Sequence, residues 1–358
     1  MNGVREGYEA FVDAIRRTGE HVGGGDDSAQ GYAYATELIR VALDLYADTD
    51  GRSPRFVSFS TPRPYHAGDA TTDRVQGGIN PDGMYDFAMM RSDRSYRISG
   101  RRGNECYLSF SFSGGADGAW PERTVATLND RQLAVTDDGS FEIFVTPERR
   151  SGNWIQMESD VCSVIARQYF TEPPSRRRPA QYKIEALDRP NLTEPPDAEL
   201  VSDRLRAVAA FIGSTNDHWP LPKGLVENGF TEALGYTGEA GALGTTDNTY
   251  CMGRWQLAPG EQLVINTDPI ECGYWGLQAW NRWGQSLAHI IDDDNHPHQI
   301  VNHKTATLNS DGSVRIVLSD SQRGEKNWLN TCGFSEGVLI FRFLYPTAKP
   351  VRPMTEVM

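Results

Sequence analysis

Apolar positions open the chain at helical spacing: Val4, Tyr8, Phe11, Val12 and Ile15, then Tyr34, Leu38, Val41, Ala42 and Leu45 before an Asp-rich break at 47–51. This predicts two helices within an N-terminal segment 1–52. From Phe56 onward the period changes to two. Tyr96-Arg97-Ile98 and the run Cys106 to Phe112 alternate between Gly-rich turns, as antiparallel strands with one wet face do. The first β unit is therefore expected over 53–172. Six prolines between Thr171 and Asp197 remove backbone donors and predict a strap without regular structure. Leu200, Leu205, Val208, Ala209 and Ile212 then return to helical spacing, so 173–248 reads as strap plus helix. Alternation resumes over 249–358, a second β unit.

The two strand blocks repeat each other. Asp82-Gly83-Met84-Tyr85 is echoed by Asp247-Asn248-Thr249-Tyr250, and Glu105-Cys106 by Glu271-Cys272. Asp138-Gly139-Ser140 matches Asp311-Gly312-Ser313, Asn153-Trp154 matches Asn327-Trp328, and Arg167 matches Arg342. Anchors in one order at nearly constant spacing predict a duplicated antiparallel unit of about 90–100 residues, the size of a sandwich or jelly roll. The fold class is thus mainly β: two related antiparallel β-sandwich or jelly-roll-like units with N-terminal and linker helices. Asp-Gly-Ser is expected to turn a hairpin. The Asn-Trp pair is expected to fix a corner, the ring filling core and the amide bonding loose backbone groups. Arg167 and Arg342 interrupt apolar strands and need an acid, Glu105 or Glu271, or an anionic ligand.

These residues also carry a resemblance. Tyr274-Trp275-Gly276-Leu277-Gln278 through Trp283-Gly284-Gln285-Ser286-Leu287, then Asn302, Asp311-Gly312 and Asn327-Trp328-Leu329-Asn330-Thr331, on to Arg342, resemble the C-terminal module of the domain of unknown function 1214 family. Asn80-Pro81-Asp82-Gly83-Met84-Tyr85 and Tyr96 to Gly100 resemble the upstream portion. Where the family's tail motif carries Asp, this chain has Asn330. The resemblance implies a β-rich, jelly-roll-like architecture and no settled reaction.

Charge narrows the partners. Acidic residues outnumber basic ones 48 to 35, a net charge of -13, which repels a nucleic-acid backbone. No apolar run approaches the roughly 18 residues of a membrane helix, so no membrane insertion is expected. The first twenty residues lack the apolar core of a signal peptide, which points to the cytoplasm. Five scattered cysteines without a CxxC pair argue against a disulfide framework and read as small buried hydrophobes. The chain has no GxSxG or HExxH, and Gly77-Gly78 and Gly114-Gly115 lack a phosphate-binding context, so no nucleotide cofactor is expected. Exposed sheet edges are compatible with a homo-oligomer.

Candidate chemistry gathers late in the chain. Asp292, Asp293, Asp294, His296 and His298 follow His289 and precede His303. Crowded carboxylates repel unless solvated or bridged by a cation, so the run is an exposed acidic loop or a catalytic site. In a strand Asp292 and Asp294 would share a face and suit Mg²⁺ or Mn²⁺. Trp255, Tyr274, Trp275, Trp280 and Trp283 either pack a core or line an apolar pocket, with Arg342 as a further substrate contact. Together they suggest an enzyme of lyase or isomerase type acting on a hydrophobic small molecule such as a lipid, steroid or isoprenoid, by terpenoid cyclase-like chemistry. The alternative is a non-catalytic ligand-binding or assembly module.

Overall fold

The computed structural model describes residues 2–23, 28–60, 80–118, 121–172, 176–187, 196–218, 223–235, 245–287 and 300–358. The chain forms two compact units. Unit 1 comprises 1–60, 84–170 and 176–217, and unit 2 comprises 61–83, 171–175 and 218–358.

Unit 1 begins with α1 (Asn2–Val22) and α2 (Ser28–Ala42), the latter prolonged by a π-helical turn over Leu43–Ala47. The expected apolar face of α2 is buried through Tyr34, Leu38, Val41 and Ala42. The linker helix α3 (Ala198–Asn216) belongs to this unit, not to a separate middle segment, and the carboxylate of Asp197 caps it by accepting from the Leu200 amide at 2.8 Å. One sheet contains β1 (Val57–Ser60), β2 (Gly83–Met89), β4 (Tyr107–Gly114), β5 (Arg123–Asn129) and β8 (Val161–Tyr169) in the order β1-β2-β8-β4-β5. The other contains β3 (Tyr96–Arg101), β6 (Ser140–Thr146), β7 (Asn153–Gln156) and β9 (Gln181–Ala186) in the order β7-β6-β3-β9. The core brings Leu108, Phe110, Phe112, Val164 and Ala166 of the first sheet against Ile98, Ile143, Val145 and Ile184 of the second.

Unit 2 repeats this plan. Its five-stranded sheet, β10-β11-β17-β13-β14, is built from Val226–Glu227, Asn248–Gln256, Glu336–Leu344, Tyr274–Asn281 and Ile300–Asn302 in that order. Its four-stranded sheet, β16-β15-β12-β18, is built from Trp328–Asn330, Val314–Ser319, Leu263–Thr267 and Met354–Val357. The strand orders coincide, even to the parallel pairs β6/β7 and β15/β16, which depart from a wholly antiparallel expectation; the edge pairs differ, β1/β2 being antiparallel and β10/β11 parallel.

The repeated anchors occupy matching places. Gly139 and Gly312 have φ of 84° and 87°, a region that costs glycine little, in two tight turns that lead into β6 and β15; the strands on either side of each turn belong to different sheets, so the turns close no hairpin. Asn153 receives the Ala134 amide and donates to the Ala134 and Glu142 carbonyls; Asn327 treats Thr307 and Arg315 identically.

Three expectations need correction. Pairing sets Tyr107 opposite Tyr169 and Ser109 opposite Arg167, while Tyr274 faces Leu344 and Gly276 faces Arg342. Cys106 therefore corresponds to Gly273, and the Glu-Cys match is displaced by one residue, because local identity does not fix register. Glu105 does not pair with Arg167. It closes on Arg102 at 2.7 Å and on the Gly103 amide, and Arg342 stacks on Tyr250 at 5.4 Å instead of meeting Glu271. Finally, the strap contains β9, since Gln181–Ala186 is a proline-free stretch that adds to β3. None of the five cysteines is in a disulfide, and burial pushes the thiols of Cys162, Cys251, Cys272 and Cys332 up to about 11, 12, 11 and 12, away from nucleophilic reactivity.

Candidate functional site

Strand β13 divides the aromatic residues by the two-residue period. Trp275, Leu277 and Ala279 enter the core of unit 2 with Trp255, where Trp275 meets Phe341 edge-on at 5.7 Å. Tyr274, Gly276, Gln278 and Trp280 occupy the opposite face. Trp255 is fully buried and its indole N–H donates to the Trp280 carbonyl at 3.2 Å. Trp283 is also buried, beneath the Arg282 guanidinium at 5.5 Å. Trp255 and Trp275 thus pack a core. Asp292, Asp293, Asp294, His296 and His298 lie outside the described residues.

What the fold brings together is a different group, on the face of Tyr274. Registration places Tyr250, Arg342, Gly276 and Asn302 in one row across four strands. Asn80 and Asp82, just before β2, belong to the same unit. Asp82 is 5% exposed, and its Oδ2 accepts from the Tyr274 hydroxyl at 2.9 Å and from the Asn302 amide at 2.7 Å. Asn80 orders this carboxylate: its Oδ1 accepts the Asp82 amide at 3.1 Å, and its carbonyl accepts the Gly83 amide at 2.7 Å. Asn302 acts at both ends. Its Oδ1 accepts the Lys304 and Thr305 amides at 2.9 and 3.0 Å, holding the turn after β14 while its amide group holds Asp82.

Gly276 makes room for this arrangement. The Tyr274 ring folds along the strand over it, so that a Cβ there would stand 3.0 Å from the phenol Cζ and closer still to the hydroxyl. Any larger residue would lift the phenol from Asp82.

His303 completes the group. Its ring meets Tyr274 edge-on at 5.6 Å, its amide donates to the Trp275 carbonyl, and its Nδ1 is buried without a hydrogen bond. Burial, and secondarily Lys304, depress its imidazolium pKa below 6.5, while the Trp275 backbone and then the Asp82 charge partly oppose this. The unfolded chain therefore takes up the proton first as pH falls. Stability should be level above about pH 6.5 and decline below it. Urea titrations across that range should show the decline in the wild type and a flatter curve in His303→Gln. Burial, then the Asp82 charge, hold the Tyr274 phenol well above its usual range, so it remains a protonated donor at neutral pH.

The positions of the first repeat that correspond to Tyr274, Gly276, Asn302 and Arg342 are Tyr107, Ser109, Asn129 and Arg167. Asn129 holds its own turn as Asn302 does, its Oδ1 accepting the Arg131 amide at 3.1 Å. Sequence reasoning selected Tyr274 and Arg342 but missed Asp82, Asn302 and His303 as a site. The available signal was the recurrence of Asp82 as Asp247 beside the Asn80-Pro81-Asp82-Gly83 motif.

Comparison with known proteins follows the same division. The family model described as protein of unknown function (DUF1214) matches residues 88–173 and 259–348, one segment in each repeat. No curated protein matches. A crystal structure of an uncharacterized protein from Burkholderia cenocepacia is 30% identical, with a TM-score of 0.84, over 98% of this chain and 96% of that one. The VPA0106 protein from Vibrio parahaemolyticus is 11% identical, with a TM-score of 0.49, over 78% of this chain and 90% of that one.

Proposed function

This chain belongs to the DUF1214 family, and from that premise we propose that unit 2 is the acting half of a lyase- or isomerase-type enzyme for an apolar small molecule of lipid, steroid or isoprenoid kind, with Asp82 and Tyr274 as its proton-handling pair. The observation carrying this reading is the buried carboxylate that binds a phenol and an amide beside an imidazole with a free nitrogen. Burying such groups is costly, and perturbed titratable clusters are enriched at functional sites. In the unliganded arrangement the phenol proton is engaged by Asp82. A substrate carbonyl or hydroxyl oxygen that took the phenol's hydrogen bond would free the carboxylate to act as base on an adjacent C–H.

A specific observation also favours an assembly role: Asn80 and Asp82 pin residues 80–83 onto unit 2, and Tyr274 is fully buried. Turnover assays on apolar metabolites, with and without Mg²⁺, Mn²⁺ or a chelator, separate the readings. Tyr274→Phe is expected to cut turnover about 100-fold or more while the protein remains folded. A variant that unfolds earlier but neither binds nor converts any metabolite less well than wild type supports assembly instead.

A further inference from the structure

The packing of α1 is inverted relative to the usual amphipathic helix. Its small residues face inward: the Gly3 carbonyl accepts from the Ser202 hydroxyl at 2.7 Å, Thr18 accepts from the Asn216 amide at 2.8 Å, and a Cβ on Gly7 would meet the Ser202 carbonyl at 2.8 Å. Glycine at position 7 thus sets how closely α1 and α3 approach. The large apolar residues, set about 100° round the helix from that seam, are left at the surface. Tyr8 and Val12 are 57% and 45% exposed, and Val4, Phe11 and Ile15 are half-buried. Tyr32 of α2, 52% exposed, continues the stripe beside Gly19. Positions 4, 8, 12, 15 and 19, spaced four, four, three and four residues apart, lie on one face as a helix-pairing seam does.

The flank of this stripe says what fits it. Arg5, Glu9, Arg16 and Glu20 run along one edge, satisfied within the helix as Arg5–Glu9 and Arg16–Glu20 pairs. In an antiparallel pair related by a two-fold axis each flank meets its own copy. With the axis near Val12, Arg5 of one helix stands beside the partner's Glu20, Glu9 beside the partner's Arg16, and Tyr8 packs on the partner's Ile15. The charge order is self-complementary in that register. We propose that α1 is a dimerisation helix on which the α1 of a second copy of this chain docks antiparallel, two-fold about Val12. This is independent of the chemistry assigned to unit 2.

Sedimentation velocity over a concentration series of the full chain is expected to show a reversible dimer, whose dissociation constant rises roughly tenfold or more in Val12→Glu; Val12 is exposed, so the fold is not at stake. Register is read by cross-linking under mild oxidation. Val12→Cys should link to itself well beyond the wild-type background, Tyr8→Cys should not, and a mixture of Tyr8→Cys with Ile15→Cys should link across. A monomer throughout the series, a dimer unaffected by Val12→Glu, or self-linking of Tyr8→Cys in place of Val12→Cys would each overturn the proposal. So would a monomer whose α1 stripe is shielded only by phosphatidylglycerol vesicles.

Discussion

Asp82→Ala is expected to lower the free energy of unfolding of unit 2 by about 3–5 kcal/mol, the range seen when one partner of a buried charged network is removed. The loss comes from what stays behind. Alanine leaves the Tyr274 hydroxyl and the Asn302 amide, now bonded at 2.9 and 2.7 Å, buried without an acceptor, and each orphaned donor costs roughly 1–3 kcal/mol. Asp82→Asn should cost less, about 1–3 kcal/mol, since its carbonyl oxygen still accepts one donor while its amide opposes the other. Urea unfolding followed by the fluorescence of the buried tryptophans reads both. The two units need not unfold together, so the comparison belongs to the transition that moves with the mutation. A loss below about 1 kcal/mol for Asp82→Ala would mean that water reaches the site and that the network is not closed.

Asn327→Ala is expected to cost about 3 kcal/mol, because a single amide serves three backbone groups on two elements: the Thr307 N–H and C=O and the Arg315 C=O, at 2.7, 2.9 and 2.9 Å. The repeat supplies an internal control. Asn153 makes the same bonds to Ala134 and Glu142 at 2.8, 2.8 and 2.9 Å, but it is half-buried where Asn327 is 5% exposed. Water can replace part of what Asn153→Ala removes, so that variant should lose only about 1–2 kcal/mol. Equal losses at the two positions would show that exposure does not set the cost.

Legibility in the sequence followed the range of the interaction. Asp138 and Asp311 each accept the amide and hydroxyl of the serine two residues on, so a three-residue motif contained the whole turn. The corner asparagines were legible for a related reason: both copies kept the residue in front of the same Trp, and an amide with donor and acceptor ends is suited to loose backbone. The exposed stripe on α1 was only half legible. Helical spacing of Val4, Tyr8, Val12 and Ile15 predicted the helix, yet the face that packs was settled by how closely Gly3 and Gly7 let α3 approach.

The sequence by itself thus determined the strand-rich class, the duplication and the Asp-Gly-Ser turns, because these depend on side-chain period, on recurrence or on contacts within a few residues; recurrence also marked the corner amides, whose partners lie 11 to 20 residues away. Tertiary structure alone decided the register of the repeats and the assembly of Asp82 with Tyr274 and Asn302, partners separated by 192 and 220 positions in the chain. Those residues meet because the sheet order β11-β17-β13-β14 sets Arg342, Gly276 and Asn302 in one row. Strand order is the outcome of which apolar faces cover one another over the whole unit. It leaves no local mark at Asp82, which in the sequence is only an acid in a turn.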